Sequence, residues 1–125
     1  MRRAGALVVV LVALGAAANA SGDASGELSR LRESARKALG ASCGRCHDST
    51  RPTARPAALR IFDLQERDWS ARVTDQQMDH MVDRFASFRM PQADRVAVSR
   101  FLDAERARRA ALDPPPPADD PAARE

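Results

Sequence analysis

The sequence predicts an all-α protein, and three observations carry the prediction. Apolar residues recur at helical spacing in separate stretches. Strand-type alternation is absent, and Val and Ile are sparse after residue 20. Capping residues and prolines fall where those stretches begin and end.

Leu28, Leu31, Ala35, Ala38 and Leu39 share one helical face. Glu27 suits a first turn and Gly40 a stop, which predicts a helix over 26–39. Pro52 and Pro56 punctuate the stretch that follows. A proline at the first helical position sacrifices no hydrogen bond, so Pro56 is expected to open a short helix over 57–63 within loop. Thr74 and Gln77 have capping-box spacing, and Met78, Met81, Val82 and Phe85 follow at i, i+3, i+4 and i+7. These predict a helix over 75–87. Pro91 breaks the chain, and Asp94 is expected to cap a last helix running to about residue 112, with Phe101 and Leu102 on its buried face.

The ends read differently. Arg2 and Arg3, the apolar run Leu7 to Ala18 and the small-x-small site Ala18-Asn19-Ala20 predict a secretory signal over 1–20. The alternative is a retained anchor, but the apolar run is shorter than the ~20 residues that span a bilayer. The domain is then expected over 21–112, exported to a periplasm or otherwise out of the cytoplasm, with no membrane span after cleavage. Residues 113–125 are Pro-rich and polar, which predicts an extended tail.

A chain of 125 residues makes one domain, and this one has four Phe, one Trp and no Tyr. So small a core often needs a cofactor to hold it. Without Arg2 and Arg3 the 20 basic residues fall to 18, against 17 acidic ones, and Lys37 is the only lysine. That balance, with no interleaving of basic and aromatic residues, argues against a nucleic-acid partner.

Both cysteines fall in Cys43-Gly44-Arg45-Cys46-His47, the C-x-x-C-H pattern of covalent haem attachment. Two thiols three residues apart can add to the two vinyl groups on one edge of the macrocycle. The next residue, His47, can then bond the iron, and Gly44 keeps the loop compact. A thioredoxin-like pair needs a βαβ context, which is absent. A zinc site wants four ligands, and only His80 remains to complete one. A disulfide between cysteines this close is a poor staple. One haem c is therefore expected.

The distal iron ligand is drawn from Met78, Met81, His80 and Met90. Met78 and Met81 lie on an apolar helical stripe, where Met is usually core filler. His80 falls off that stripe. Met90 stands just before Pro91, in a segment that cannot stay regular, and is preferred. Trp69 could donate its indole N–H to a haem propionate, with Arg60 or Arg72 pairing there, or could be a core tryptophan.

In this order of features the chain resembles the small monohaem class I c-type cytochromes of bacteria, over about residues 26–112. The resemblance implies a fold of three to four helices around a covalent haem. It implies a distal sulfur from the Met90-Pro91 pair, and a close crossing of first and last helices in which Ala35 and Phe101 would meet. Members of that family often place a proline carbonyl on the haem histidine; here Asp48-Ser49-Thr50-Arg51 follows His47, so Pro52 or Pro56 would have to serve. The function implied is one-electron transfer without bond-making chemistry. Its redox donor and acceptor would dock transiently, with Arg45 or Arg51 shaping the surface. Rival readings are a sensor binding a small gas at an open sixth site, and a subunit docked in a respiratory assembly through the Pro-rich tail.

Overall fold

A computed structural model describes residues 16–113, and the fold is all-α, with no strand among the described residues. Most of the expected signal and nearly all of the expected tail lie outside that range. Two long helices dominate: α1 (Ala16–Ser42) and α5 (Gln92–Leu112), which pack against each other. Between them come α2 (Gly44–His47), α3 (Pro56–Leu59) and α4 (Asp75–Asp83). No helix among the described residues is long and apolar enough to cross a membrane.

The core forms where these elements meet. Ala35, Ala38 and Leu39 come from α1, and Val98, Phe101 and Leu102 from α5. Ala35 and Phe101, expected at the helix crossing, are both fully buried. The connection between α3 and α4 supplies Phe62, Leu64, Trp69 and Val73. Trp69 is tilted against Phe62 and Phe101, with ring centroids 5.6 and 5.2 Å away. Such pairs add about 0.5–1.5 kcal/mol each beyond the burial of area.

Charged side chains pin that connection from both sides. From α1, Arg36 donates to the carbonyls of Glu66 and Arg67, and Arg32 pairs with Asp68 while lying over the Phe101 ring. From α5, Arg109 donates to the carbonyls of Ser70 and Val73 and pairs with Asp75 at the start of α4. Glu105, only 1% exposed, accepts from Arg108 and Arg109 and so orients both. Burial raises the pKa of its carboxyl, but the hydrogen bonds from the two guanidinium groups outweigh this and hold it below the ordinary value.

Several boundaries differ from expectation. α1 already includes Ala16, well before residue 26, in keeping with the helix propensity of Ala-Ala-Ala-Asn-Ala. The expected cleavage point after Ala20 falls within this helix. Gly40 does not stop the helix: its backbone is not left-handed, and Cys43 N–H still reaches the Leu39 carbonyl. α3 starts at Pro56 itself and ends at Leu59, well short of residue 63. α4 keeps its Thr74/Gln77 capping box but gives way to turns after Asp83 rather than continuing to 87. Asp94 is not the cap of α5; extended Pro91 holds that position, and Asp94 sits in the first turn, where its charge favours the helix N-terminus.

Candidate functional site

The C-x-x-C-H motif forms its own helical turn on the end of α1. Cys43 starts α2, and its carbonyl accepts from the N–H groups of Cys46 and His47. The last three carbonyls of the turn, those of Arg45, Cys46 and His47, have no partners within so short a helix. The following loop supplies all three. Thr53 Oγ1 donates to Arg45 O at 2.6 Å, Arg55 N–H to Cys46 O at 3.1 Å, and Leu64 N–H to His47 O at 2.8 Å. Gly44 is buried beneath the Arg51 guanidinium, which would lie 3.4 Å from an added Cβ. Arg51 pairs with Asp48.

The loop also fixes the imidazole. His47 lies flat on the Phe62 ring, with centroids 3.8 Å apart and planes 7° from parallel. Its Nδ1 is 3.1 Å from the Phe62 carbonyl. A carbonyl only accepts, so Nδ1 carries the hydrogen and Nε2 is left with a lone pair. Burial pushes the His47 pKa down, only partly opposed by that hydrogen bond, which keeps the ring neutral. The orienting carbonyl therefore belongs to Phe62, and not to Pro52 or Pro56.

Cys43 and Cys46 are free thiols. Burial, then the neighbouring Cys46, pushes the Cys43 pKa up against the opposing pull of Arg84. The two cysteines and His47 line one cavity of about 820 Å³, within the usual range for cofactor sites. Apolar walls come from Ala57, Ala58, Phe62, Val73 and Phe85.

Of the four distal candidates, Met90, Met81 and His80 line this cavity, whereas Met78 is fully buried in the core and off its lining. Met90 is held in an unusual way. Arg89 adopts φ 49, the left-handed region usually reserved for Gly. Arg89 N–H then bonds Ala86 O and Met90 N–H reaches back to Phe85 O, each at 3.1 Å. That pair of bonds is the Schellman helix ending. It turns Met90 inward, to 2% exposure.

The cations on the lining are Arg45, Arg55 and Arg84, and no carboxylate joins them. Arg45 was a sequence candidate; Arg51, Arg60 and Arg72 do not line the cavity, and Arg72 pairs with Glu66. Trp69 is a core residue behind Phe62, yet its indole N–H finds no acceptor in the protein. Among the described residues, no three His, Cys, Asp or Glu side chains converge to hold a bare ion. What the cavity offers is spread out: two thiols, an imidazole lone pair and a thioether, among apolar and cationic side chains. That donor set suits a haem, whose iron takes imidazole and thioether and whose carboxylates want cations.

Sequence reasoning missed the Phe62 carbonyl, the left-handed Arg89, and Arg55 and Arg84. Comparison with protein-family models, with curated proteins and with solved structures finds no match for this chain.

Proposed function

We propose that this chain is a small exported monohaem c-type cytochrome that carries single electrons between transient redox partners. The observation that supports this most is that Cys43, Cys46 and His47 of one segment and Met90 of another line one cavity. A bound haem supplies the one-electron couple. Cys43 and Cys46 would hold it covalently through their thiols, as thioethers to its two vinyl groups. His47 offers Nε2 as the proximal ligand, with its other nitrogen tied to Phe62 O. Met90 offers the distal thioether from a backbone already set by its helix ending. Ligands fixed in this way need not move when an electron arrives. The apolar side chains of the lining, together with a thioether ligand, would favour the reduced state.

The test is to produce the protein in a host able to attach haem c, and to record ferric and ferrous spectra of wild type and Met90→Ala. The far-red sulfur–iron charge-transfer band is expected in wild type and absent in the variant. Covalent haem with no such band, together with tight CO binding by the reduced protein, would instead favour the gas-binding reading. No covalent haem would overturn the proposal.

A further inference from the structure

We propose that Arg95 is the positioning residue for the distal ligand; the inference rests on the His47/Met90 reading above. Met90 lies between two helical segments and belongs to neither hydrogen-bond ladder. Its N–H is satisfied by the Schellman ending. Its carbonyl precedes the first turn of α5 and, buried with the residue, would have no partner. Arg95 supplies one. Its Nε donates to Met90 O at 2.7 Å, while its backbone N–H bonds Pro91 O at 3.0 Å. One residue thus holds two successive carbonyls of the Met-Pro pair.

The donor is charged, which makes the bond short and strong. Arg95 makes no ion pair among the described residues, so no carboxylate competes for its guanidinium. A methionine side chain has three rotatable bonds, so fixing its backbone on both sides narrows the positions open to the sulfur. Without the Arg95 donor, the Met90 carbonyl must turn towards water. The sulfur leaves with it, and the sixth position opens to outside ligands. Arg95 acts through Met90 and touches no cofactor atom itself.

The experiment uses the full-length, haem-loaded ferric protein, with imidazole as the competing ligand. Arg95→Met removes the donor at similar length, Arg95→Gln leaves one too short to reach, and Arg95→Lys keeps a long charged donor. R95M and R95Q are expected to bind imidazole about tenfold more tightly than wild type, the scale of one lost charged hydrogen bond. The sulfur–iron band should weaken in both, and R95K should return both readouts to within about twofold of wild type. If R95M does not fold, R95Q carries the test. A wild-type band and wild-type imidazole affinity in R95Q would overturn the role of Arg95 alone. No band in wild type would overturn the Met90 ligation, and the role of Arg95 with it.

Discussion

The side of the molecule built on α1 and α5 differs from the side that holds the cavity in how its polar groups are satisfied. On the first, Arg36 and Arg109 spend their hydrogen bonds on the 66–75 connection, Glu105 orients Arg109, and Trp69 and Phe101 fill the space between. On the second, the cavity is lined by two free thiols, an imidazole nitrogen without a partner, a buried thioether, and the arginines 45, 55 and 84. On the first side most polar groups are paired within the protein, the buried Trp69 indole N–H being an exception. The second has its backbone in order and its side chains uncommitted. Stability and chemistry have been placed in different parts of a very small core.

If that division holds, damage to the first side should unfold the protein. Phe101→Ala removes a fully buried ring from the helix crossing and is expected to cost about 3–5 kcal/mol, read as a fall in the urea midpoint. A loss under 1 kcal/mol would mean the α1/α5 packing is not what holds the fold.

Glu105→Gln should cost less, about 2 kcal/mol, because it weakens the grip of Arg108 and Arg109 without opening a cavity. Its signature is in pH. The folded Glu105 carboxyl sits below its ordinary 4.5, so its contribution is complete above that value and is lost as pH falls through the lowered folded pKa. Wild type should lose its advantage over E105Q in urea midpoints taken from neutral pH to below pH 4. A constant difference across that range would remove Glu105 as the acid-sensitive tie.

The smallest effect belongs to the cavity side, and it is a gain. Arg89 is a non-glycine residue in left-handed backbone. Arg89→Gly should relieve about 1 kcal/mol of strain, seen as a rise of several degrees in thermal midpoint. The charge-transfer band should stay unchanged. A loss of stability would mean that the Arg89 side chain does more than occupy the turn.

Much of this was legible in the sequence, and what was legible was local. The C-x-x-C-H spacing, the Thr74/Gln77 box and the Met90-Pro91 break each depend on residues a few positions apart. The misread features depend on partners that no short spacing encodes. Phe62 orients His47 through its backbone carbonyl, a group every residue has, so its identity carries no signal. Arg89 adopts a conformation for which Gly is the usual marker, and no Gly is there. Gly40 has that marker without the conformation, because Ala41 and Ser42 carry the helix onward. Glu105 stands among many charged residues of the last helix, so its burial leaves no mark in the sequence; it depends on pairing with Arg108 and Arg109.

The closure of α2 from one side only has a consequence in time. Its last three carbonyls are answered by Thr53, Arg55 and Leu64, all of which come later in the chain. A polypeptide emerging N-terminus first presents both thiols before the groups that will lock their turn have appeared. During that interval the turn lacks its three capping partners, and on the haem reading this is when the thiols would be open to attachment. Once residue 64 docks, the turn is set and the imidazole stands fixed on Phe62. The same loop that gives the finished site its rigidity thereby gives the nascent one a window of accessibility.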